Sequence, residues 1–462
     1  MQQFSRRDFL RLAGAGTTLA TLAACTPAGM PGQQAGEAEG AAAGETVQLA
    51  WIMRSQPREN EWEEERVATY QSENPGVEIN LIIVPFNEMD PKLNTMIAAG
   101  TPPDIFSQWG ESGFGDYYAR DLLLDLTPFI EADDYSMDQF LPSSVEPYVR
   151  DGKYYSTPQV NNFAIMLFYN KDLFDAAGLA YPTTDWNDSE SWNWNIMLEY
   201  AQTLTKNYGE GLDAEYGANL TRDIHHLAYL FAGDAFTPEH YETGLSQTSQ
   251  LDSDVVIEAV QSRADMVFDL QVSPSPADLE SLSQLGDIFM TGKIGMVTSG
   301  SWGMRVFQDA PFRFGVAPLP GMRDNKRYAF TGSWLIAREA PEPDAAWTFV
   351  KYLLSEESCT GLAEVGFGSP RTNINRDVWL PKYADKTEMS IDELESVIFG
   401  SVDYSVEHVN HLFVGWPQIT QTITQDADPI WLGSATAADV LTGTKEKLDV
   451  VLQNIYTEFS GT

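Results

Sequence analysis

The sequence predicts an α/β protein of two domains, and three observations carry that prediction. Strand and helix signals alternate along the chain. Residues 46–462 exceed what one ordinary core holds. The stretch that opens the body of the chain reads β-α-β-α-β. Thr46 to Ile52 (TVQLAWI) is a strand, and Asn60 to Asn74 (NEWEEERVATYQSEN) is an amphipathic helix that stops at Pro75-Gly76. Val77 to Val84 (VEINLIIV) is a second strand. Met89 to Ala99 is a helix closed by Gly100-Thr101-Pro102-Pro103, and Asp104 to Ser107 is a short third strand. Such an opening forms a doubly wound sheet, whose ligands sit beyond the carboxyl ends of its strands. Trp51 to Arg58 and Gln108 to Gly110 then face one cleft.

The N-terminus reads as an export signal. Leu12 to Ala24 holds 13 uncharged residues, short of the about 20 that span a membrane. A positive flank, a short apolar run and small residues before a cut point describe a secretory leader. Ser5-Arg6-Arg7-Asp8-Phe9-Leu10-Arg11 resembles the twin-arginine signal, although an ordinary leader can also carry the pair. Leu22-Ala23-Ala24-Cys25 resembles a bacterial lipobox, so Cys25 is expected to be lipidated and to become the new N-terminus. Residues 25–45 are small and polar and read as a flexible tether.

Charge narrows the functions. The chain carries 67 acidic and 28 basic residues, a net −39. Losing residues 1–24, with three arginines and one aspartate, takes this to −41. Nucleic acid is no partner for such a surface, because phosphate binding needs clustered Lys and Arg. Adhesion to anionic lipid heads is disfavoured for the same reason, leaving the lipid anchor as the membrane contact. Cys359 is the one cysteine left once Cys25 is acylated, so no internal disulfide is expected. Five histidines are scattered. His408 and His411 lack a third ligand nearby, and adjacent His225 and His226 point different ways on a helix. Neither metal nor cofactor is expected.

The order of later segments carries a resemblance. AAGTPPDIF closes the opening unit, and DGKYYSTPQVNNFAIMLFYNKDLFDAAGL follows at Asp151 to Leu179. Then come SWNWNIMLEYAQTLTK (Ser191 to Lys206), FMTGKIGMVTSGSW (Phe289 to Trp302) and FRFGVAPLPG (Phe312 to Gly321). FTGSWLIAREAPEPDAAWTFVKYLLSEE (Phe330 to Glu357) and GFGSPRTNI (Gly366 to Ile374) end the series. Together they resemble family 1 extracellular solute-binding proteins, the sugar-binding receptors of ABC importers. The resemblance implies a two-lobed, periplasmic-binding-protein-like α/β fold. Each lobe is a sheet flanked by helices, with ligand clamped between. Crossovers near Val160, Val316 and Gly366 put residues 46–160 and 316–365 in lobe one, and 161–315 and 366–462 in lobe two. It also implies a monomer that docks on permease subunits and performs no catalysis.

A sugar site needs flat aromatic faces for C–H surfaces, and amides, carboxylates or arginine for paired hydroxyls. Trp109, Trp302 (TSGSWG), Trp334 (TGSW) and Trp416 (VGWPQ) sit beside glycine in loop-like segments and are expected to line the cleft. Trp192 is either cleft or first-turn packing, while Trp51 and Trp347 belong to apolar core stretches. Asn161 and Asn162 stand on the first crossover, to touch ligand or to hold the hinge. Arg371 either forks onto hydroxyls or pairs with an acid. Glu61 reaches a hydroxyl or, like Glu63, Glu64 and Glu65, faces solvent. Gly300, Ser301, Gly332 and Ser333 offer backbone or hydroxyl hydrogen bonds. Two rivals remain. A secreted glycoside hydrolase needs two carboxylates at fixed separation, and no segment pairs acids in a catalytic loop; neither G-x-S-x-G nor a P-loop occurs. A receptor for a glycerophosphodiester needs a basic cleft, hinted at by Arg54, Arg58 and Arg371.

Overall fold

A computed structural model describes residues 46–461. The export signal, Cys25 and the tether lie outside the described residues. Val47–Arg54 (β1), Pro57–Glu73 (α1), Val77–Val84 (β2), Met89–Ala98 (α2) and Ile105–Ser107 (β3) form the opening unit that the spacing predicts. The first helix begins at Pro57, three residues before the apolar periodicity, because proline's fixed φ suits the first helical turn. β1 runs parallel to both neighbours, with Trp51 opposite Leu81 and Ile105.

The chain then passes between two sheets. Thr157–Asn162 (β4) belongs to the first, and Met166–Asn170 (β5) to the second. Tyr216–Asn219 (β6), Ile224–Leu230 (α3), Ile294–Ser299 (β7), Gly303–Phe307 (α4) and Phe314–Ala317 (β8) follow. Arg327–Ile336 (β9) returns to the first sheet, ahead of Pro343–Leu353 (α5). Ser405–Glu407 (β10), Val409–Leu412 (α6), Trp416–Trp431 (α7) and Ala437–Phe459 (α8) complete the chain. The first sheet has the order β10-β9-β3-β1-β2, with β4 also paired to β9; the second is β8-β5-β7-β6. Helices flank both.

Burial follows the pattern of apolar residues. In the first sheet Trp51 meets Trp334 and Phe349 edge-on at 5.4 and 5.3 Å, contacts worth about 0.5–1.5 kcal/mol each beyond their area. The same apolar core takes in Ile419 and Leu448 of the C-terminal helices, together with Ile224 and Val256. The second sheet has a core on each face, one around Phe168, Phe314 and Trp379 and the other around Trp192, Leu227 and Tyr328. Buried side chains hold the crossovers. Asn161 Nδ2 donates to the Pro370 carbonyl at 3.4 Å and its backbone N–H to Gly368 at 3.1 Å. Arg327, fully buried, donates from Nε to the Leu319 carbonyl at 3.2 Å. Burial lowers its pKa to about 9.

Candidate ligand-binding cavity

The β2-β1-β3 order makes the carboxyl edge of β1 a switch point, where neighbouring loops diverge and leave a crevice. A cavity of about 410 Å³ opens there, lined by Arg54, Gln108, Trp109, Trp302, Arg305 and Phe330, among others. That volume lies within the roughly 300–1,000 Å³ of small-molecule sites. The first sheet contributes Arg54 at the end of β1, Gln108 and Trp109 just past β3, and Phe330 on β9. The second contributes Trp302 and Arg305 after β7.

Both tryptophans are seated on glycine. A Cβ on Gly332 would stand 2.5 Å from Trp109 Cζ2, and one on Gly300 would stand 1.9 Å from Trp302 Cζ3. No larger residue leaves room for the indole at either place. Trp109 is further fixed by Nε1, which donates to Gln159 Oε1 at 2.8 Å, and by the Arg54 guanidinium stacked 3.9 Å from its ring. Arg54 is aimed by Glu59, whose buried carboxylate lies 3.2 Å from Nη2. Trp302 meets Phe330 edge-on at 5.4 Å and remains half-buried. Its exposed part faces the cavity.

Polar groups complete the lining. The Arg305 guanidinium lies 4.3 Å from the Phe367 ring, and its buried Nε has no partner. Burial lowers its pKa from the ordinary arginine value; Glu59 opposes that shift and Arg54 adds to it. Gln108 Nε2 donates to the Thr331 carbonyl and to Tyr148 Oη, both at 2.7 Å, while Oε1 has no partner. His411 Nδ1 meets Glu407 Oε1 at 2.5 Å, and the Thr331 N–H donates to that carboxylate at 3.1 Å. Buried polar atoms usually find partners. Arg305 Nε and Gln108 Oε1, on residues that line the cavity, and Gln159 Nε2, beside Trp109, are left without a partner in the chain.

Of the residues singled out from sequence, Trp109 and Trp302 line this cavity. Others are corrected by their surroundings. Trp334 is 1% exposed and packs on Trp51. Trp192 is core: Nε1 donates to the Pro318 carbonyl at 3.0 Å and the ring meets Tyr200. Trp416 opens α7 and packs edge-on against His225 at 5.2 Å, in the wall of a different cavity. Ser301 is buried with Oγ accepting from the Phe163 N–H, and Ser333 is buried beside Gln108. Asn161 is a crossover clasp, and Asn162 pairs with Phe330 through the β4–β9 ladder. Arg371 donates to the Leu354 carbonyl at 2.8 Å, away from the cavity. Glu61 faces solvent. Glu63, expected outside with it, is buried, since Glu59 and Glu63 share the inward face one turn apart. Burial and then the Glu59 charge hold the Glu63 carboxyl well above its usual range.

Sequence reading put Gln108 in a cleft-facing loop without assigning it a role, and missed Arg305, Phe330 and His411. Gln108 adjoins Trp109, and Arg305 lies one helical turn past Trp302, so neighbourhood was a usable signal for both. Nothing local marks His411.

A two-lobed α/β fold with a crevice of this kind defines a ligand-capturing protein. The chain belongs to the bacterial extracellular solute-binding protein family, whose model matches residues 55–358. A binding protein of Brucella abortus is 24% identical over 396 residues, covering 84% of this chain and 89% of that one. The maltotriose-binding protein of Pyrococcus abyssi is 26% identical over 305 residues, 64% of this chain and 60% of its own. Among solved structures, an ABC substrate-binding protein from Listeria monocytogenes in complex with cycloalternan superposes with a TM-score of 0.72. It is 24% identical and covers 88% of this chain and 99% of its own.

Proposed function

We propose that this protein is a lipid-anchored receptor that captures a carbohydrate in the Trp109–Trp302 cavity and hands it to an ABC importer. The observation that carries this reading is the pairing of two glycine-seated indoles with amide and guanidinium side chains lining one crevice. Indole faces suit the C–H surfaces of a pyranose, and amide and guanidinium groups suit its hydroxyls. A micromolar site needs about 8 kcal/mol, within reach of a ring stacked on Trp302, the edge of Trp109 and several hydrogen bonds. The maltotriose and cycloalternan named for the relatives support an oligosaccharide as the first ligand to try. Work is done by differential affinity of open and closed states, without catalysis. One lobe is built on the first sheet and the other on the second; β10, α7 and α8, expected in lobe two, pair with or pack on the first sheet instead.

The test is a thermal-shift and scattering series with maltotriose and a saccharide panel, with product analysis alongside. A binder is stabilised by about 2.7 kcal/mol at a hundredfold excess over Kd, compacts on saturation and releases no product. Product formation overturns the receptor reading, and stabilisation without compaction overturns the clamp. Anchoring is tested by Cys25→Ala, which removes the acyl chains seen by mass spectrometry, and the export route by Arg6→Lys with Arg7→Lys. A second reading draws on Arg54 and Arg305, which put two cations on the cavity wall. It is a receptor for an anionic solute such as a glycerophosphodiester. Glu59 already neutralises Arg54, so the neutral sugar is favoured; a response to the phosphodiester alone reverses that order.

A further inference from the structure

Three residues far apart in sequence converge outside the cavity. Asp223, His225 and His408 bring their ligand atoms within 4.8 Å of one another. Asp223 Oδ1 lies 2.9 Å from His225 Nδ1, and Oδ2 lies 3.4 Å from His408 Nε2. Asp223 stands at the N-cap of α3 yet makes no side-chain cap; its carboxylate is turned to the two rings.

His225 is the telling member. It is 4% exposed, and neither ring nitrogen has a hydrogen-bond partner. The approach of Nδ1 to Asp223 is close without being aligned for a hydrogen bond. Nδ1 has only this approach to Asp223 and Nε2 has no partner at all; a cation on the ring's lone pair would offset that desolvation. His408 is set up in a complementary way. Its Nδ1 accepts from the Asn410 backbone N–H at 3.1 Å, with the Asn410 side-chain amide 2.5 Å away, so in the metal-free protein the ring proton belongs on Nε2. Nε2 faces Asp223 Oδ2 at 3.4 Å, and a metal ion binding there would displace its proton.

We propose that Asp223, His225 and His408 form a binding site for a divalent transition-metal ion of the zinc class. Two imidazoles and one carboxylate suit such ions, whereas magnesium and calcium call for oxygen alone. Zinc–ligand bonds of about 2.0–2.2 Å put tetrahedral donors roughly 3.4 Å apart. The 2.9 and 3.4 Å separations approach that value, and the remaining pair lies within 4.8 Å. The fourth position opens on a cavity of about 440 Å³ that Thr420, Thr424 and Asp428 also line. The ion joins α3 to the β10–α6 segment. His408 is stacked on Phe330 at 4.3 Å, and Phe330, Asn410 and His411 line the saccharide cavity. Metal therefore stiffens one wall of that cavity without entering it.

The test uses full-length, tag-free protein stripped with chelator, then dialysed against zinc. One equivalent retained by elemental analysis, a rise in melting temperature with zinc and none with magnesium, and a tetrahedral cobalt visible spectrum are expected. Asp223→Asn and His225→Gln should each weaken zinc by more than the roughly 10–100-fold that loss of a supporting partner costs. Asp223→Asn is nearly isosteric and partly exposed, so it decides the matter if His225→Gln fails to fold. Equal responses to zinc and magnesium, absence of a stoichiometric equivalent, or wild-type retention by Asp223→Asn overturns the proposal. Each would mean that cations only condense on the acidic surface.

Discussion

Replacing Gly300 by alanine tests the site through a residue that itself offers ligand no side chain. The added Cβ would stand 1.9, 2.3 and 2.4 Å from Trp302 Cζ3, Cε3 and Cη2. Carbon atoms in contact lie about 3.5–4.0 Å apart, so the indole must withdraw by about 1.6 Å or more. Gly300 is outside the left-handed region, so alanine strains nothing of its own and the effect is steric. Trp302 is half-buried and can swing outward. Apo stability should move by less than about 1 kcal/mol, helped by the reduced chain entropy of Gly→Ala. Affinity should fall toward that of Trp302→Ala. By analogy with other flat ligands, losing an aromatic platform costs about 1–3 kcal/mol, or roughly fivefold to 150-fold in Kd. The assay is calorimetric titration of a saccharide over a double-mutant cycle. In the Trp302→Ala background, Gly300→Ala should cost nothing further. An equal loss in both backgrounds would refute the seating argument, and unchanged affinity in Gly300→Ala alone would refute the platform.

Three further outcomes follow from burial. Trp416→Ala should destabilise the apo protein by about 3–5 kcal/mol in urea melts and spare saccharide affinity; the reverse pattern would put the ligand against α7. Glu63 has a raised folded pKa, from burial first and the Glu59 charge second. Its stabilising share is present below the unfolded carboxyl range and fades as pH rises through the folded value. Glu63→Gln should therefore gain stability over wild type increasingly above about pH 4.5, and a pH-independent difference would deny the shift. His240 is lowered to about 3 by burial, against an ordinary 6.5. Its contribution is whole above pH 6.5 and is lost as pH falls toward 3, at up to about 1.4 kcal/mol per unit. His240→Phe keeps the 3.7 Å stack on Phe413 and should lose about 2 kcal/mol less between pH 6.5 and 5; an identical acid slope would contradict this.

Local pattern determined the opening β-α-β-α-β unit, because strand and helix periods are written in neighbouring residues. It also pointed to Trp109 and Trp302, which follow strand ends where a doubly wound sheet presents its ligands. Pairing decided the others. Ladder register on β9 shifts between Gly332 and Ser333, and an irregularity there resets which face each later side chain takes. Trp334 consequently turns into the core, although its sequence surroundings match those of Trp302. Trp416 follows Gly415 as a cleft residue would, but that glycine begins a helix whose inward face, Trp416 with Ile419 and Ile423, is buried. Tertiary structure alone joined Arg305 to Arg54 across two sheets, and His408 to Asp223 across 185 positions of chain. A local period states which face of an element is apolar; only the packing of elements states which polar groups are left facing one another.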